Sequence, residues 1–81
     1  MMKSEKIECR AKVVKIGNSV VGVMPWETPY IIFQTPWGKR KWQSDTINSS
    51  KLNEGNIVWL RAFVRENTGN LFRVSAIKIT K

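Results

Sequence analysis

The chain has 81 residues, room for one domain built on one modest core. Hydrophobic residues make up 42% and charged residues 25%, a globular balance that excludes a disordered chain. Against 14 Lys and Arg stand 6 Asp and Glu, a net charge of +8; so strong a positive field attracts polyanions, whether nucleic acid, an anionic membrane surface or an acidic protein.

In chain order, residues 1–6 are polar and lack the apolar stretch of a secretory signal, so they are expected to form a flexible N-terminus. The first strand is expected over residues 7–16. Ile7, Cys9, Ala11 and Val13 share one face, and Glu8, Arg10 and Lys12 the other. The phase slips at Val13-Val14, which suggests a bulge or bend. Cys9 is the sole cysteine, so no intrachain disulfide can form, and it reads as a small buried hydrophobe. Gly17-Asn18 can turn, and residues 19–23 extend or restart the strand. Two prolines, Pro25 and Pro29, mark residues 24–29 as a loop. Residues 30–35 form the second strand, Pro36-Trp37-Gly38 a tight turn, and residues 39–44 the returning strand. Residues 45–55 are rich in Ser, Asn and Thr. They make a short irregular link with at most one helical turn, and Ile47 and Leu52 serve as apolar plugs. Residues 56–66 are the clearest strand. Residues 67–70 turn the chain, and residues 71–80 are the last strand, with Phe72 and Val74 inward and Arg73 outward.

The fourth run carries the strongest functional signal. Val58, Leu60, Ala62 and Val64 point to the core, while Ile57, Trp59, Arg61, Phe63 and Arg65 point the other way. Interleaved aromatics and arginines suit a single nucleic-acid strand, because bases stack on rings while guanidinium groups meet phosphates. The same face also fits the open side of a curved barrel or a subunit interface. The hairpin repeats the theme, with Lys39, Arg40, Lys41 and Trp42 following the Trp37 turn, and Trp26 adds a ring from the preceding loop. On the facing strand, Tyr30 or Phe33 could join the platform or the core. Arg73 is placed beside Arg61 or Arg65 across the last hairpin. Arg10, Lys12 and Lys15 form either a second basic patch or only solvated surface, and the lack of an aromatic neighbour in sequence favours the latter.

Enzyme chemistry finds little support. There is no His to act as general base, and one Cys without His excludes a common zinc site. No phosphate-cradling Gly-rich motif is present, the Ser49-Ser50 pair has no base motif beside it, and the carboxylates are scattered over loops and turns. No catalytic residue, metal or other cofactor is expected. No apolar run approaches the roughly 20 residues of a membrane span.

The stretch Leu52-Asn53-Glu54-Gly55-Asn56-Ile57-Val58-Trp59-Leu60-Arg61-Ala62, the turn Thr68-Gly69-Asn70 and the following Leu71-Phe72-Arg73-Val74 carry a recognisable pattern. It resembles the entry to the fourth strand of OB-fold proteins, especially the single-stranded DNA-binding family. There a Leu-x-x-Gly step precedes an alternating strand, and a polar turn leads to the closing strand. The resemblance covers about the last third of the chain. Two features depart from it: the link before the fourth strand is short and helix-poor, and Ala62 stands where Gly is common. The resemblance implies a small five-stranded OB-type barrel, all-β and partly open. Its ligand groove would lie on the second and third strands, between the loops joining strands one to two and four to five.

These readings set the expectation of one cytoplasmic OB-type domain over residues 1–81, non-catalytic, binding single-stranded DNA with little sequence preference in replication, recombination or repair. Trp26, Trp37, Trp42, Trp59 and Phe63 are the expected stacking rings, and Lys39, Arg40, Lys41, Arg61, Arg65 and Arg73 the expected cations. Single-stranded RNA is an alternative ligand. A barrel that docks a protein through its aromatic face is an alternative of another class. Homo-oligomers and replication or recombination proteins are the other partners considered, and no membrane is expected among them.

Overall fold

Alternation of apolar and polar residues carries the chain into five strands: β1 (Ser4–Val20), β2 (Glu27–Thr35), β3 (Gly38–Gln43), β4 (Ile57–Arg65) and β5 (Leu71–Ile79). The structure is a computed structural model that describes residues 4–23, 25–47 and 51–80; expectations for residues 1–3, 24, 48–50 and 81 lie outside these. The strands form one closed sheet in the order β1-β2-β3-β5-β4, with β4 returning to β1. All neighbours are antiparallel except β3 and β5, whose parallel closure is the single pair Trp42–Leu71. Among the described residues no helix is long and apolar enough to cross a membrane.

β1 is long because it serves two neighbours. Ser4 to Lys12 pair with β4, and Lys12 to Val20 pair with β2. The changeover falls at the expected phase slip, where the register shifts between Val13 and Lys15. Backbone bonds from the link preceding β4 seal it: Gly55 N–H donates to Val13 O (2.7 Å), and Val13 N–H donates to Asn56 O (2.9 Å). The Glu54 carboxylate accepts from Ile16 N–H at 2.9 Å. Gly55 has φ +94°, a conformation that a residue with Cβ rarely adopts.

The interior is the set of inward positions that alternation produces. Ile7, Cys9, Ala11 and Val13 of β1 meet Ile31 and Phe33 of β2, Trp42 of β3, Val58, Leu60 and Ala62 of β4, and Leu71 of β5. Ile47 plugs the core from the link, and Leu52 packs against it. Phe33 and Trp42 stack with centroids 6.4 Å apart and planes 22° apart. Phe33 is therefore core, and Tyr30, on the opposite face of β2, is not.

Four expectations need correction. Ser4 to Lys6 are paired with Arg65, Val64 and Phe63, so β1 begins earlier than residue 7 and includes part of the stretch expected to be flexible. Gly17-Asn18 does not turn, since both residues stay in the β1–β2 ladder. β2 begins at Glu27 and takes in Pro29, which was expected in a loop. Pro29 O accepts from Ser44 N–H at 3.2 Å, so its missing donor faces the chain just past the end of β3, where no ladder bond is needed. In β5, Leu71 rather than Phe72 enters the core, because the turn sets Leu71 opposite Val64 and Phe72 opposite the outward Phe63.

Phe33 has no exposed surface, so replacing it by Ala should leave a cavity beside Trp42. Urea unfolding of Phe33→Ala should show a loss of about 3–5 kcal/mol. Burial pushes the Cys9 thiol above its ordinary pKa, keeping it in the unreactive protonated form. A thiol reagent such as DTNB at neutral pH should label the folded protein far more slowly than the urea-unfolded chain.

Candidate functional site

Two connections bring functional side chains to one side of the closed sheet. The first is the segment between β1 and β2, where Trp26 is 52% exposed. Val20 at the end of β1 and Val21 and Val23 of this segment are also exposed, Val23 completely. Gln43, at the end of β3, ties this region down. Its amide nitrogen lies 3.1 Å from Ser19 O, 2.8 Å from Ser19 Oγ and 3.0 Å from Thr28 O. One β3 side chain thus bridges the end of β1 and the start of β2.

The second is the β4–β5 turn. Gly69 N–H donates to Arg65 O (2.7 Å), Arg65 N–H donates to Asn70 O (2.9 Å), and Asn70 N–H donates to Thr68 Oγ1 (3.2 Å). Gly69 supplies the positive φ of +74°. Arg65 is therefore fixed through both its backbone groups, and its guanidinium lies over the Phe72 ring, 4.2 Å from the centroid. Phe72 packs in turn against Phe63, with centroids 5.8 Å apart.

Between these two connections runs a groove of about 570 Å³. It is lined by Val21 and Trp26 from the β1–β2 connection, by Lys41 and Gln43 from β3, and by Arg65, Asn70 and Phe72 from around the β4–β5 turn. Lys41 Nζ sits 4.8 Å from the centroid of the Tyr30 ring. Tyr30 is held close to β1: a Cβ on Gly17 would lie 2.8 Å from the Tyr30 hydroxyl oxygen. Asp45 is the one acidic residue lining the groove among the described residues. Rings and cations face a common space there, a combination able to hold planar groups and anions together.

The structure divides the expected site residues among several places. Trp26, Lys41 and Arg65 meet in the groove, and Phe63 backs its Phe72 wall. Trp42 does not belong to the accessible set: it is 9% exposed and stacked on Phe33 within the core. The cationic run on β3 is divided: alternation sets Arg40 on one face and Lys39 and Lys41 on the other. Lys41 enters the groove, and Lys39 borders a hollow with Lys12, Gln34 and Glu54. Arg40 lies with the exposed Trp37 around a smaller cavity of about 160 Å³ that Glu5, Ile7 and Val64 complete.

Arg61 donates from Nε to the Glu8 carboxylate at 2.7 Å. Trp59, 41% exposed, stands on the outer face of β4 and does not line the groove. Arg73 is not opposite Arg61 or Arg65. Between the pairs Arg61–Ala76 and Phe63–Phe72, β5 places Arg73, Val74 and Ser75 against the lone Ala62, and Arg73 takes φ +49° in this bulge. Sequence reasoning missed Gln43 and Phe72. Gln43 follows the inward Trp42 and so must lie outward, and the length of the β4–β5 turn sets Phe72 outward. No family model, curated protein or solved structure was found to match this chain.

Gln43→Glu would set a carboxylate against the Ser19 and Thr28 carbonyls in place of a donor. Amide hydrogen exchange should speed up at Ser19, Val20, Val21 and Thr28 in this variant, while the amides of Leu60 and Ala62 keep wild-type protection.

Proposed function

We propose that the chain is a non-catalytic OB-type domain that binds single-stranded DNA with little sequence preference in the groove between the β1–β2 and β4–β5 connections. The observation that carries the proposal is the convergence of Trp26, Lys41, Arg65 and Phe72 on one groove of a chain with net charge +8. The strand order, with a long β1 shared by β2 and β4, supports the OB-type reading. So does the groove's position on the β2–β3 side between those two connections.

In this reading Trp26 and Phe72 offer faces for bases, and stacking tolerates any sequence because every base has a π-face. Lys41 and Arg65 neutralise phosphates, and Lys39, on the same face of β3 as Lys41, extends the cationic track. Arg65 already stacks on Phe72, so little side-chain freedom is lost when an anion arrives. Gln43 acts by positioning, since it holds the Trp26-bearing segment against β3. Trp42 serves the core and offers no face to a base.

The exposed Val20, Val21 and Val23 beside the groove favour a second reading, in which the same end of the molecule docks a protein as an adaptor. Titration with a short oligo-dT, followed by tryptophan fluorescence at two salt concentrations, separates the two. Binding should quench fluorescence, resist competition by duplex DNA and weaken with salt, with a log–log slope near −0.7 for each phosphate neutralised. Trp26→Ala should lower affinity by about 1–3 kcal/mol. If matched RNA competes better than DNA, the ligand is RNA and the groove is unchanged. Absence of binding at low salt would remove the nucleic-acid reading and leave the adaptor.

A further inference from the structure

The cations of β1 read as solvated surface in sequence because they have no aromatic neighbour along the chain. The strand register supplies one. On the outer face of β1, β4 and β5, Arg10 pairs with Trp59, and Trp59 pairs with Lys78. Adjacent strands lie about 4.8 Å apart, so the exposed indole is flanked on both sides by a cation. Neither Arg10 nor Lys78 is in an ion pair among the described residues. Lys12 follows Arg10 on the same face of β1 and pairs with Ile57. The acidic residue of this face, Glu8, is already occupied by Arg61.

This cluster is connected to the groove. Phe72 lines the groove and packs on Phe63, and Phe63 leads along the outer face of β4 through Arg61 to Trp59. Successive outward residues on a strand are about 6.6 Å apart, so rings and guanidinium groups alternate along β4 from the groove wall to the Arg10–Trp59–Lys78 row. A neutral protein partner would not account for the two unpaired cations beside the ring, whereas a polyanion with flat bases matches both elements.

We propose that the Arg10–Trp59–Lys78 row is a second subsite for single-stranded nucleic acid, filled by the same strand after it leaves the groove over Phe72 and Phe63. The proposal rests on the groove reading and extends it. The strand wraps the barrel across β5 onto β4, and Trp59 stacks a base between phosphates held by Arg10 and Lys78. A short ligand fills the groove alone, and a long one fills both.

Oligo length is the discriminating variable. Fluorescence anisotropy is read with end-labelled oligo-dT of about 5 and about 16 nucleotides, spanning the range of site sizes known for one such barrel. The proteins are wild type, Trp59→Ala, Trp59→Phe and the double variant Arg10→Glu/Lys78→Glu. The double variant alters only exposed side chains, so it remains informative if Trp59→Ala folds poorly. For the long oligo, Trp59→Ala should weaken binding at least about fivefold. Trp59→Phe should restore most of that loss, and the double variant should make the salt slope shallower by about 1.4. For the short oligo, all variants should match wild type. The proposal is overturned if the long oligo is unaffected, or if both lengths lose affinity equally. It is also overturned if analytical ultracentrifugation shows wild type to be a dimer that these variants dissociate, which would make the face an interface between copies. Failure of wild type to bind either oligo would instead refute the groove reading on which the proposal stands.

Discussion

The fold depends on a single strand serving two partners. β1 must pair with β4 along its first half and β2 along its second, and Lys12 is the residue that pairs with both. A flat strand cannot do this around a barrel only five strands wide, so β1 shifts register between Val13 and Lys15. The shift exposes backbone groups that a regular ladder would have paired, and the link before β4 satisfies them through Gly55, Asn56 and the Glu54 carboxylate. Val13 at the shift has no exposed surface, so the bend and the core are fixed at the same residue. β3 and β5 share the one ladder pair Trp42–Leu71, the shortest pairing in the closed sheet.

That curvature decides which side chains can act together. The β3 cations are consecutive in sequence, yet Lys39, Arg40 and Lys41 border three different hollows: alternation turns Arg40 to the other face, and Lys39 and Lys41 lie two residues apart along one face. Residues far apart in sequence converge instead. Trp26, Lys41, Arg65 and Phe72 line one groove, and Arg10, Trp59 and Lys78 form one row. The proposed function follows from this redistribution more than from the density of positive charge, which alone would not favour a strand over any other polyanion.

Much of the fold is legible along the chain because the relevant rules are local. The alternation of Val58, Leu60 and Ala62, the Pro36-Trp37-Gly38 turn, the phase slip at Val13-Val14 and the plug Ile47 all read directly from neighbouring residues. The inward placement of Trp42 was also present in the sequence. It stands between Lys41 and Gln43, a polar–apolar–polar alternation that marks the ring as core, although the basic run beside it suggests a ligand contact. Other features depend on register between distant segments. Leu71 rather than Phe72 enters the core because the turn after Arg65 fixes the phase of β5. Arg10 gains Trp59 as a neighbour only once β1 and β4 are paired. The bulge that isolates Arg73 arises from three residues of β5 facing one of β4, an imbalance with no local signature.

In the proposed function a single strand occupies the groove and leaves the core rings untouched. The most direct measurement is a two-dimensional nitrogen–proton NMR titration of the labelled protein with a short oligo-dT. Binding in the groove should produce saturable shifts of the Trp26 indole N–H and of the Lys41, Gln43, Arg65 and Phe72 amides, with the Trp42 indole signal unmoved. Unchanged groove signals, or shifts confined to the exposed valines between β1 and β2, would contradict it.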